Sequence, residues 1–140
     1  MIILDTDCLS LMDRELSLES SNLRNALSQF DQEEIFTTII SFEEHMRGWL
    51  SYISKCKTAE DQIFAYRMLH RFLESYRNTQ VLDFDDKAAS IFRELKSNRI
   101  RIGTMDLKIA SIAIANDAIL VSRNLADFER VPNLTVNDWT

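Results

Sequence analysis

Glycine and proline are nearly missing from this chain, at two Gly and one Pro in 140 residues. With no Ser/Gly linker and no low-complexity tract, the sequence offers no domain boundary and no internal repeat. Its length suits one core rather than two, so a single domain over residues 1–140 is expected. Long apolar runs are also lacking: nothing approaches the roughly 20 residues of a membrane helix, and the first acid arrives at position 5. These absences predict a cytoplasmic protein without membrane contact. Cysteine and histidine are scarce, at Cys8, Cys56, His45 and His70. Neither an H-x-x-x-H pair nor a Cys cluster exists, so the spacing disfavours zinc. The two thiols read as small buried hydrophobes rather than a disulfide, and each histidine as a surface or packed imidazole.

Basic charge is short as well. A net charge of −6 opposes tight, non-specific binding to a polyanion. The deficit is uneven, since residues 1–61 carry 12 acids and 5 bases whereas residues 62–140 carry 10 acids and 11 bases. Lys96, Arg99, Arg101 and Lys108 bracket Asp106, and Arg67, Arg71 and Arg77 recur along one predicted helix. These bases read either as an ordinary solvated face or as local contacts to a phosphate backbone.

What is present is apolar periodicity that alternates in kind. Strands are predicted over 2–4, 34–37, 79–84, 118–122 and 134–136, and helices over 8–12, 19–30, 39–54, 58–76, 85–97 and 106–115. The 39–54 helix carries Ile40, Met46, Trp49, Leu50 and Ile53 at tolerable 3.6 spacing, and Gly48 on it implies close backbone packing. The 58–76 helix carries Ile63, Tyr66, Leu69, Phe72, Leu73 and Tyr76, a stripe for the core or a dimer face. Strands alternating with helices predict an α/β layer architecture with a mainly parallel sheet, because parallel neighbours need crossover connections.

The acids are the informative residues. Ile2-Ile3-Leu4 runs directly into Asp5, and open parallel sheets bind ligands outside the carboxyl ends of their strands. Glu44 sits among Ile39, Ile40, Phe42 and Met46, and Asp106 among Ile102, Met105 and Leu107. A carboxylate in an apolar surround costs several kcal/mol unless a cation or donors compensate. Convergent acids of this kind point to a metal, and an oxygen-only donor set suits Mg²⁺ or Mn²⁺. Plainer readings stand beside this. Asp5 serves equally as a helix cap, Asp106 gains from the helix dipole in a first turn, and Glu44 has Arg47 at i+3 as a partner. Thr6 or Asp7 is a candidate N-cap for the helix that follows. Trp49, Tyr66, Phe72 and Tyr76 read as core or interface before they read as base-stacking platforms.

Four segments taken in order resemble a known family: Ile2-Ile3-Leu4-Asp5-Thr6-Asp7, Glu44-His45-Met46-Arg47-Gly48, Ile102 through Ala110 around Thr104 and Asp106, and Val121-Ser122-Arg123-Asn124-Leu125-Ala126-Asp127-Phe128. They look like the motifs of PIN-domain ribonucleases, specifically VapC-type toxins of bacterial type II toxin-antitoxin pairs. The tail from Glu129 through Trp139 is similar to those of such toxins. The resemblance implies a PIN-like three-layer fold with a short, mainly parallel central sheet flanked by helices. It also implies an Mg²⁺-dependent endoribonuclease, with Mn²⁺ able to substitute, that cuts RNA, pairs with a small cognate antitoxin and forms a homodimer. Asp5 and Asp106 would be the main metal ligands, Glu44 would hold the metal or its waters, and Gly48 four residues later selects Glu44 over Glu43. Asp127 is assigned as the fourth acid, because Asn124 stands where family members often carry Asp. Thr6 and Thr104 resemble hydroxyl positions near the site and also read as helix caps. Lys108, Arg123 and Asn124 are expected to steady phosphates or metal-bound water. Two rivals remain: a catalytically weakened scaffold that binds RNA or protein, favoured by Asn124 alone, and a haloacid-dehalogenase-like phosphatase, favoured by Asp5-Thr6-Asp7 but not by Cys8-Leu9 or the absent downstream acid pair.

Overall fold

The computed structural model describes residues 1–13 and 17–140. Five strands form one sheet: β1 (Ile2–Leu4), β2 (Ile35–Thr38), β3 (Gln80–Leu82), β4 (Ile119–Val121) and β5 (Thr135–Asn137). Their spatial order is β3-β2-β1-β4-β5 and every pairing is parallel, a stricter arrangement than the mainly parallel sheet expected. The helices are α1 (Thr6–Asp13), α2 (Leu18–Leu27), α3 (Ile39–Lys55), α4 (Ala59–Arg77), α5 (Asp86–Ser97), α6 (Thr104–Ala115) and the single-turn α7 (Leu125–Phe128), which the periodicity did not foretell.

Side-chain alternation along the central strands divides the interior into two cores, giving three layers. Ile2, Leu4 and Val121 pack with Leu9, Leu11, Leu23, Leu27, Phe72 and Tyr76 from α1, α2 and α4. Ile3 and Leu120 face the other way, onto Leu107, Ile109, Ile112 and Ala113 of α6 and Ala88 and Leu95 of α5. Each fully buried Ile or Leu stabilises by about 1.5–3 kcal/mol through lost apolar exposure. α6 lies mostly inside, with Leu107, Ile109, Ala110, Ser111, Ile112, Ala113 and Ala115 all buried. That makes it a rigid carrier for the residues of its first turn.

Helix starts are written in the sequence. Thr38, Thr58 and Asp85 each accept the backbone N–H three residues on, at 3.1, 3.1 and 2.9 Å. For α1 the cap is Asp5 and not Thr6 or Asp7: Asp5 Oδ1 accepts the Cys8 N–H at 2.8 Å. With only two glycines in the chain, Arg99 (φ 58°) after α5, Asp117 (φ 50°) after α6 and Asn133 (φ 62°) before β5 take the left-handed conformation that glycine usually fills. Gly48 corrects another expectation: a Cβ there would meet nothing within 4 Å, so no close packing requires it. The α4 stripe also divides, with Phe72 and Tyr76 buried but Ile63, Tyr66 and Leu73 exposed.

Candidate active site

The register of β1 and β4 builds the centre of the site. Leu4 pairs with Val121, the Asp5 N–H donates to the Val121 carbonyl at 3.1 Å, and Asp5 therefore leaves the sheet beside Ser122. Asp5 is only 6% exposed. Burial pushes its carboxyl above the usual range, against the lowering effect of the Ser122 hydroxyl and the Cys8 amide. Capping and membership of an acid cluster are thus one role, not alternatives. Ser122 was not singled out from sequence, although its place just past β4 mirrors that of Asp5 just past β1.

Glu44 reaches the same rim from the second turn of α3, where the Thr6 hydroxyl donates to its Oε1 at 2.6 Å. Arg47 pairs with Glu43 at 2.9 Å instead, on the exposed face. The two neighbouring glutamates are separated in that way, one to solvent and one to the rim. Asp106 projects from the first turn of α6, half-buried, with its carboxyl pushed up to about 6. Burial is the main cause, followed by the negative charges of Glu44, Asp5 and Asp127. Asn124 Nδ2 donates to Asp106 Oδ2 at 3.3 Å and to Asp127 Oδ2 at 3.1 Å, so the residue assigned to water or phosphate spends its amide joining two acids. Among the described residues none of these four acids has a basic side chain within ion-pair distance.

The bases and hydroxyls behave less uniformly. Arg123 binds Asp7 through Nε at 2.6 Å, at the edge of the site. Lys108, expected to steady phosphates, lies over the Phe84 and Phe92 rings at 5.9 Å. Thr104 is exposed at the first residue of α6, whose N-cap is Gly103, and Thr6 serves Glu44; neither threonine caps a helix. His45 is half-buried and bonded to Ser10 and Tyr76, whereas His70 is exposed, 3.9 Å from Glu74. From Glu44 a groove of about 930 Å³ runs between α1, α3 and α4, past His45, Gly48, Trp49, Phe64 and Arg71.

Among the described residues no three His, Cys, Asp or Glu side chains are gathered closely enough to enclose an ion unaided. The donor chemistry still fits a hard, hydrated divalent cation. All four candidates are carboxylates, none has a basic partner among the described residues, and an ion such as Mg²⁺ binds one or two carboxylates directly while keeping its waters.

Comparison with known proteins agrees with this geometry. The chain matches the PIN domain family over residues 2–134. It is 39% identical over 64 residues to Ribonuclease VapC2 of Rickettsia felis, covering 43% of this chain and 48% of that protein. It is 36% identical over 64 residues to the tRNA(fMet)-specific endonuclease VapC of Salmonella typhimurium, with the same coverage. The matched segment therefore spans about half the length of these relatives. The solved structure of VapBC2 from Rickettsia felis bound to a DNA fragment from their promoter superposes with a TM-score of 0.72 at 28% identity, covering 100% of both chains. The family match displaces the haloacid-dehalogenase-like alternative, and Asp7, the second acid of that motif, is paired with Arg123. With the family matched from the first strand to beyond the last helix, and the whole chain superposing on a solved relative, this protein belongs to the PIN domain family.

Proposed function

We propose that this chain is a metal-dependent endoribonuclease acting as the toxin of a type II toxin-antitoxin pair in the cytoplasm. One observation carries the reading: Asp5, Glu44, Asp106 and Asp127 share a rim with no basic partner among the described residues, and their mutual repulsion helps hold Asp106 at about 6. The names of the matched relatives, a ribonuclease and a tRNA(fMet)-specific endonuclease, support RNA as substrate. Asp5 and Asp106 are the direct ligands in this proposal, and Glu44 and Asp127 hold the ion or its waters. A bound Mg²⁺, or Mn²⁺ in its place, supplies an acidified water and offsets charge at the scissile phosphodiester. Thr6 orients Glu44 for this, and Asn124 orients Asp106 and Asp127. Thr104, exposed beside the acids, and Arg123, once it leaves Asp7, meet flanking phosphates. Lys108 does so only by leaving its two aromatic rings. The partners are a small antitoxin and a second copy of the chain, for which Leu50, Ile63, Phe64, Tyr66 and Leu73 supply exposed apolar surface. No helix among the described residues is long and apolar enough to cross a membrane.

The test is cleavage of total RNA with Mg²⁺ or EDTA, by the native chain and by Asp5→Asn and Asp106→Asn. Asn caps helices about as well as Asp, so Asp5→Asn removes charge while keeping the α1 cap, which Asp5→Ala does not. A loss on the order of 10²-fold or more is expected, comparable to removing one preorganised electrostatic group. Full cleavage in EDTA or by either variant sinks the assignment. The weakened-scaffold reading draws only on Asn124, and saturable Mn²⁺ uptake by calorimetry separates the two, since a decayed site takes up none.

A further inference from the structure

We propose that His45 is a positioning residue for Glu44, acting through a hydrogen-bond series with Tyr76, Ser10 and Thr6; this rests on Glu44 belonging to the metal site. The donor directions follow from proton counting. Ser10 has one hydroxyl proton, and its Oγ donates it to the Thr6 carbonyl at 2.9 Å. The 2.7 Å contact between Ser10 Oγ and His45 Nε2 must then run from the imidazole to the hydroxyl. A neutral ring with its proton on Nε2 has a bare Nδ1, which accepts from the Tyr76 hydroxyl at 2.9 Å. Protons therefore point one way, from α4 through α3 to α1, and every partner is used once.

The series comes back to α3, one residue from His45. Thr6, whose carbonyl ends the series, sends its own hydroxyl to Glu44 Oε1 at 2.6 Å. Glu44 and His45 are adjacent on α3, while Thr6 and Ser10 are one turn apart on α1, so the two helices are tied twice within a single turn. Rotating α3 about its axis breaks one tie or the other. Phe72 packs edge-on against the imidazole at 5.6 Å and 89°, and Tyr76 at 5.9 Å and 79°, which keeps the ring upright. Glu44 is thereby held with Oε1 occupied by Thr6, close enough to Asp106 for its charge to be felt there. A histidine that merely fills space would need neither bond.

The variants His45→Phe, Tyr76→Phe and His45→Gln separate these roles. Mn²⁺ affinity is read by calorimetry, cleavage of a purified tRNA pool with Mg²⁺ gives rate and half-saturation, and thermal melts report folding. His45→Phe keeps the aromatic packing and loses the bonds to Ser10 and Tyr76; Mn²⁺ binding about 10-fold weaker and a saturating rate about 10–100-fold lower are expected, the usual range for lost outer partners of a metal ligand. Half-saturation by RNA stays within about 2-fold, because substrate contacts are untouched. His45→Gln, which can still donate to Ser10, recovers part of both losses. Tyr76→Phe removes one oxygen and keeps the measurement available if His45→Phe does not fold. Wild-type Mn²⁺ affinity and rate in His45→Phe or Tyr76→Phe, with or without a lowered melting temperature, overturn the positioning role alone. A native chain that neither takes up Mn²⁺ nor cuts RNA overturns the metal site and this role together.

Discussion

At the scale of single residues, Asp106 is the group whose behaviour the cluster most alters. Its carboxyl is raised from an ordinary 3.8 to about 6, by burial first and by three neighbouring acids next. A raised folded-state value means that the protonated form is the one folding favours. The resulting stability is fully present below about pH 4 and is lost as pH climbs through about 6. In EDTA, Asp106→Asn is therefore expected to melt above the native chain at pH 7.5, and the gap should narrow as pH falls to 5. Melting curves across that window check it; a constant gap rules out the repulsion. Metal uptake has the opposite sign, since only the ionised carboxylate is a ligand, and should weaken below about pH 6. The four acids were legible because each sits in an apolar setting or an ordered motif. Their supports were not: Ser122, Ser10 and Tyr76 gain meaning only from the β1–β4 register and from three helices meeting.

The elements repeat this division. Strand-then-acid at Leu4-Asp5 announced the first rim residue, and apolar periodicity placed the starts of α3, α4 and α5 to within a residue. Where one signal served two uses, reading along the chain went astray. Gly48 resembled a packing glycine because glycine is costly in mid-helix, yet its surroundings are open. Gly48→Ala is accordingly expected to stabilise the protein by about 0.5–1 kcal/mol, read as a higher urea midpoint at unchanged slope. A destabilised variant would show that α3 needs the freedom. Lys108 illustrates the same limit from the charged side, because its sequence distance from Asp106 said nothing of the aromatic pair that receives it.

For the molecule as a whole, an acid rim with no basic partner among the described residues would make folding and the proposed ion binding partners in one equilibrium. A divalent ion that binds only the folded state stabilises it by about 2.7 kcal/mol at a hundredfold excess over its dissociation constant. Mn²⁺ should therefore raise the melting temperature at pH 7.5, EDTA should reverse the rise, and Asp5→Asn should abolish it; an equal rise in that variant would place the ion elsewhere. The strand order adds a constraint in time. β1 is made first among the strands and ends in the middle, between β2 and a β4 that follows more than a hundred residues later. A ribosome must thus finish most of the polypeptide before Asp5 can meet Ser122, so the candidate site is not assembled on a growing chain.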